Sequence, residues 1–136
     1  MDVREFRMDD FDRVAALWSR AGLLPSLSDE RAEIARKLER DPDLFIVGVD
    51  AQTIVGAVMG AYDGRRGWIY HLAIDPDVQS RGFGGTLLRE LERRLRQKGC
   101  LKVNLLIEMD NANVGAFYQR HGYERDNLIF MEKWLT

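Results

Sequence analysis

The residues with the clearest chemical potential are the glycines of segment 79–85, QSRGFGG, which separates an apolar run from an amphipathic helix. Backbone N–H groups at a helix start lack intrahelical partners and carry partial positive charge, so this position suits an anion. Gly82, Gly84 and Gly85 would let an anion approach the main chain, and Arg81 adds a mobile positive charge. The same residues fit a plain glycine turn before a helix equally well.

Two known phosphate-binding motifs can be excluded for this glycine segment. The chain has no Gly-Lys-Ser/Thr, which excludes the P-loop of nucleotide hydrolases. A dinucleotide fingerprint that begins at Gly82 would need glycine or alanine where Leu87 stands. Gln79, Gly82 and Gly84 instead form Gln-x-x-Gly-x-Gly, just after the run LAIDP at 72–76.

This segment resembles the coenzyme motif of the GNAT superfamily of acyl-coenzyme-A-dependent N-acetyltransferases. A second stretch is similar to the family's Asn-x-x-Ala-x-x-Leu-Tyr-x-x-x-Gly-Phe pattern. It consists of Asn111, Val114, Phe117, Tyr118, Gly122 and Tyr123. The order of strands and helices agrees from end to end, so the resemblance covers essentially the whole chain.

The resemblance implies one domain over residues 1–136 with an α/β (α+β) mixed sheet. This is the GNAT-like fold, a largely antiparallel sheet with one splayed parallel pair and helices on both faces. It also implies acetyl-CoA as co-substrate and no metal. The residues implied to contact the coenzyme are Leu72, Ala73, Ile74, Gln79, Ser80, Arg81, Gly82, Phe83, Gly84, Gly85, Thr86, Asn111 and Tyr118.

The resemblance also implies which part of the coenzyme each of these residues contacts. The backbone of Leu72 and Ile74 would pair with the pantetheine arm as though it were a strand, and the amides of 79–85 would hold the pyrophosphate. Asn111 would touch the coenzyme from the far side. Tyr118 would donate a proton to the leaving thiolate, although a lone tyrosine on an apolar helix face is more often a core residue.

The implied reaction is direct attack of a primary amine, on a small molecule or a protein, in a ternary complex. The alternative is a non-catalytic acyl-CoA sensor or partner module. The general base is open, because Leu106 stands where many relatives have glutamate. Glu108 lies two residues further on, Glu30 has the charge to attract a cationic amine, and water alone would also serve. His71 alternates away from Leu72, which favours a structural role.

These residues must be positioned by regular elements. Hydrophobic periodicity predicts strands at 2–7, 44–49, 53–62, 68–74, 101–108 and 128–135. Helices are expected from Asp9 or Asp10 to Gly22, from Ser28 to Asp41, from the glycine segment to Gly99, and from Asp110 or Asn111 to Gly122. A right-handed crossover makes 68–74 and 101–108 parallel, and the apolar run at 105–107 predicts burial on both faces.

The bulk properties limit the partners. The balance of 20 basic and 22 acidic residues argues against a nucleic-acid partner, and no run approaches the length of a membrane span. The lone Cys100 and the charged first ten residues indicate a cytoplasmic protein without a signal peptide. Metal-ligand spacing is not found. A homodimer is expected from the resemblance alone.

Overall fold

The computed structural model describes residues 1–107 and 112–136, with only the backbone of Ala112. It contains two compact units, Met1–Leu106 and Ile107–Thr136. Each is described here by itself.

The first unit is built on a five-stranded sheet in the order β1-β2-β3-β4-β5. The strands are β1 (Asp2–Glu5), β2 (Phe45–Asp50), β3 (Thr53–Tyr62), β4 (Gly67–Ile74) and β5 (Val103–Leu105). The first three pairings are antiparallel, and β4 and β5 are parallel. Ala51 and Gln52 join β2 to β3 with φ of 48° and 67°, the left-handed backbone of a two-residue turn that matches strand twist.

Helices cover both faces of this sheet. Helices α1 (Phe11–Arg20) and α2 (Arg31–Arg40) share a buried apolar cluster with the strand residues Phe45, Val47, Ala57 and Met59. Successive strand residues point to opposite faces, so Gly56 and Gly60 lie on the other face, where α3 (Phe83–Gln97) packs. The mixed sheet with one parallel pair and helices on both sides confirms the predicted fold class.

Gly60 lets α3 approach the sheet closely. A Cβ at this position would lie 2.5 Å from Leu91 Cδ1 and 3.2 Å from the Leu44 carbonyl oxygen, and both leucines are fully buried. Because this overpacking outweighs the entropic gain of alanine, we expect Gly60→Ala to lower the free energy of unfolding by about 1–2 kcal/mol. Urea denaturation measures this change.

The matched control is Gly115→Ala in α4 (Ala112–Arg120), where nothing lies within 4 Å of the new Cβ. Alanine in a helix interior should leave the midpoint unchanged or raise it by up to about 1 kcal/mol in free energy. Equal midpoints for Gly60→Ala and the unmodified chain would show that α3 has room to move away.

The connection between α1 and α2 differs from the prediction. Ser28 does not cap the second helix; Leu27–Asp29 forms a 3-10 turn capped by Ser26, and α2 begins at Arg31. The reason is the buried Asp29 carboxylate, which accepts a 2.9 Å hydrogen bond from the Ser26 N–H and closes the turn before the helix starts. Glu30 therefore takes the N-cap position of α2, with extended backbone and an exposed side chain.

One predicted strand is shorter than expected, and another is not formed. Of the described residues 101–107 of the predicted strand 101–108, only Val103–Leu105 form a strand, and Leu106 is 55% exposed rather than buried on both faces. The cause is its position at the sheet edge, where it has a neighbour on one side only. Residues 128–135 form no strand, and their apolar side chains are exposed, because a β-branched or aromatic run needs a paired neighbour to become a strand.

Candidate functional site

The glycine segment places unpaired N–H groups at a helix start. Ser80 and Gly82 have φ of 67° and 80°, and these left-handed residues turn the chain into α3, which begins at Phe83. The first α3 amide with a backbone acceptor is that of Thr86, which donates to the Gly82 carbonyl at 3.1 Å. Within the described part of the chain, the N–H groups of residues 83–85 donate to no acceptor. These N–H groups are therefore available to an acceptor from outside the chain.

The charges around this helix start agree with an anionic ligand. No acidic residue stands in the first turn of α3, so nothing there competes for the free N–H groups. Arg81 is exposed and forms no ion pair with any residue that the structure describes. Gly85 is buried and Gly84 is half-buried.

The strand before this segment has an open edge. β5 pairs only with the first three residues of β4, Gly67 to Ile69. In the described ranges no strand pairs with β4 on that side from Tyr70 to Ile74. Leu72 and Ile74 are half-buried, Ala73 is buried, and Gln79 Nε2 lies 3.5 Å from the Ile74 carbonyl oxygen. An extended ligand can add to such an edge as a further strand.

β4 also contains a bulge at His71. Ala57 faces Ala73 and Met59 faces Tyr70, so two residues of β4, His71 and Leu72, oppose one residue of β3. His71 has φ of +50°, a left-handed backbone that is rare for a side-chain-bearing residue within a strand. The bulge reverses the alternation of β4 and brings Ala73 into the α1 cluster.

The bulge directs His71 toward α1 and the turn that precedes α2. Its ring centroid is 5.1 Å from that of Trp18, and its Nε2 is 2.8 Å from Asp29 Oδ1. The Asp29 side chain is 7% exposed and the His71 side chain is 27% exposed. The pair lies 42 residues apart in the chain. Alternation alone suggested a lone structural histidine, and no signal in the sequence showed this contact.

A second cross-link joins α1 to the end of β4. Arg20 donates two hydrogen bonds to the buried Asp75 carboxylate, at 2.8 and 2.7 Å, and one to Asp77 at 3.1 Å. Asp75 also accepts from the Asp77 N–H and so caps the 3-10 turn Pro76–Val78. This bidentate pair fixes the chain where it leaves β4 for the glycine segment.

Tyr118 belongs to the second unit and is 6% exposed. Its ring contacts those of Phe117 and Tyr123, with centroid distances of 5.2 and 5.4 Å. Burial raises the pKa of the Tyr118 hydroxyl to about 12, so the phenol keeps its proton at neutral pH. Asn111 and Glu108 lie outside the described residues.

The described ranges contain no group of three or more His, Cys, Asp or Glu side chains that could hold a metal ion. They also contain no helix that is long and apolar enough to cross a membrane.

Comparisons with known proteins agree with this geometry. The acetyltransferase (GNAT) family model matches residues 3–123. An acetyltransferase of Sodalis glossinidius (strain morsitans) is 43% identical over 136 residues, which cover 99% of this chain and 96% of that protein.

Two solved structures share the fold. Ard1 from Thermoplasma volcanium superposes with a TM-score of 0.84 at 24% identity, over 93% of this chain and 84% of that one. The PaiA N-acetyltransferase of Thermoplasma acidophilum, in complex with coenzyme A, gives 0.81 at 18% identity, over 94% and 92%. The chain belongs to the GNAT family of acetyltransferases.

Proposed function

We propose that the chain binds acetyl-CoA and transfers its acetyl group to a primary amine of a small molecule or a protein, by direct attack in a ternary complex. One observation carries this proposal: the unpaired N–H groups at the start of α3 directly follow a strand with an open edge. A coenzyme with a pyrophosphate at one end of an amide-bearing arm matches both features. The complex of PaiA with coenzyme A supports the same choice of ligand.

The proposed binding mode uses backbone more than side chains. The N–H groups of Phe83, Gly84 and Gly85 hold the pyrophosphate, with Arg81 adding charge. The pantetheine amides pair with the backbone of β4 from Leu72 to Ile74. Gln79, Ser80 and Thr86 line the turn, and Asn111 contributes from the last part of the chain.

Acetyl transfer requires a neutral amine, a polarised thioester carbonyl and a proton for the departing thiolate. We assign the proton to Tyr118, whose hydroxyl stays protonated because burial raises its pKa to about 12. A backbone N–H of the Leu72–Ile74 segment polarises the carbonyl as negative charge develops on its oxygen. Glu30 and Glu108 remain proposed contacts for the cationic acceptor.

A non-catalytic acyl-CoA sensor is the second candidate. Leu106 favours it, because a leucine cannot replace the glutamate of many relatives. Tyr118 counts against it, since a sensor has no use for a proton donor. Amine-dependent release of coenzyme A separates the two candidates, because only the enzyme breaks the thioester.

Binding of the donor is tested by thermal unfolding with acetyl-CoA. A ligand at 100 times its dissociation constant should stabilise the chain by about 2.7 kcal/mol, which raises Tm by roughly 10 °C. Pantetheine alone should shift Tm much less, since it lacks the pyrophosphate. An unchanged Tm at millimolar acetyl-CoA would remove the basis of the proposal.

A further inference from the structure

We propose that His71 is the general base that accepts the proton of the incoming amine, and that Asp29 positions its imidazole. The inference rests on the proposed acetyl transfer and identifies the base that the sequence left open. It begins from the bulge, where the strained φ of +50° turns His71 out of the strand's regular alternation. Backbone strain of this kind is retained when the surrounding structure requires one side-chain direction.

The contact with Asp29 sets the tautomer. The Asp29 carboxylate accepts from His71 Nε2 at 2.8 Å, so this nitrogen carries the hydrogen and Nδ1 carries the free lone pair. Nδ1 makes no hydrogen bond to a residue that the structure describes, and the side chain is 27% exposed. The Asp29 carboxylate is itself fixed by the Ser26 N–H and hydroxyl, at 2.9 and 3.2 Å. The ring is therefore oriented, accessible and ready to accept a proton.

The surroundings are suited to hold the imidazolium that forms. The Asp29 carboxylate hydrogen-bonds the ring, and the Trp18 ring that packs against it is uncharged. The Trp18 indole N–H is buried and donates to no acceptor among the described residues. It is therefore available to a polar acceptor beside the imidazole. Asp29 belongs to the turn between α1 and α2, and His71 to the strand edge proposed for the thioester.

The ammonium form of the acceptor gives one proton to His71 Nδ1, and the amine lone pair forms the C–N bond at the thioester carbonyl carbon. The C–S bond then breaks, the nitrogen loses its second proton, and the thiolate gains one from the Tyr118 hydroxyl, which is reprotonated from the nitrogen. The imidazolium returns its proton to solvent. The products are the amide, coenzyme A and one released proton.

The test compares His71→Gln with unmodified protein in thiol release from acetyl-CoA, with triglycine and spermidine as acceptors. Glutamine can still donate to Asp29 but cannot take a proton, so a purely structural role predicts unchanged turnover. If His71 is the base, His71→Gln should lower kcat by roughly 10²-fold at neutral pH and leave the KM for acetyl-CoA unchanged. Added imidazole should restore part of the rate in His71→Ala.

Two companion variants complete the test. His121→Gln alters the other histidine and should keep full activity. Asp29→Asn should lower kcat and leave the KM for acetyl-CoA unchanged, because an amide can also donate to Nε2 and so no longer fixes the tautomer; a purely structural role would not separate kcat from KM. Unchanged kcat in His71→Gln overturns the assignment. Unmodified protein that releases no thiol with either amine overturns the proposed function and this inference with it.

Discussion

The Gly84→Glu variant should remain folded and lose acetyl-CoA binding. Gly84 is the second residue of α3 and is half-buried beside the unpaired N–H groups. A glutamate there brings bulk and negative charge to the place proposed for the pyrophosphate. Loss of two hydrogen bonds to a charged group, at about 1.5 kcal/mol each, already weakens binding by at least roughly 10²-fold. Isothermal calorimetry with acetyl-CoA measures the loss.

A substitution at this position can remove acetyl-CoA binding without lowering the stability of the folded chain. Acidic side chains near a helix N-terminus are favourable, so the unliganded variant should melt at or near the Tm of the unmodified chain. Gln97→Glu adds the same charge at the far end of α3, where the side chain is exposed, and should bind acetyl-CoA normally. Gly84→Glu that binds as well as the control would show that the pyrophosphate lies elsewhere.

The second large effect is expected from Tyr118→Phe. We expect kcat to fall on the order of 10²–10³-fold while the dissociation constant of acetyl-CoA stays nearly the same. Phenylalanine keeps the ring packing against Phe117 and Tyr123 and removes only the hydroxyl. Since burial raises the pKa of this hydroxyl to about 12, it is protonated at every pH below that value and should produce no alkaline limb near neutrality.

Steady-state kinetics and calorimetry on the same preparation measure both quantities. Tyr123→Phe makes the same chemical change in the adjacent ring and should retain most of the turnover. If Tyr118→Phe turns over at the unmodified rate, the thiolate leaves without this acid. If coenzyme affinity falls instead, Tyr118 is a binding residue.

Much of the fold could be predicted because its signals are local. Strand 53–62 has the predicted bounds, and the start of α3 follows from glycines that allow left-handed or unpaired backbone. The proposed coenzyme site also rests on a local signal. An anion site of backbone N–H groups is visible wherever glycines precede a helix, without knowledge of distant contacts.

The errors share one cause, which is dependence on distant partners. Strand 128–135 has suitable residues but no paired neighbour, and strand 101–108 is cut short at a sheet edge. Alternation assumes a regular strand and therefore favoured a structural role for His71. One extra residue in β4 changes the face on which the His71 side chain lies. Its partner Asp29 comes from a turn 42 residues earlier. A base formed by such a pair has no local pattern.

The most direct test of the central claim is thiol release from acetyl-CoA by the unmodified chain, across a panel of peptide, polyamine and small primary amines. We expect thiol release that depends on the amine and yields its acetylated product. We also expect Gly84→Glu to abolish this activity at subsaturating acetyl-CoA. A chain that binds acetyl-CoA but releases thiol with no amine would be a sensor, and transfer that persists in Gly84→Glu would contradict the proposed coenzyme site.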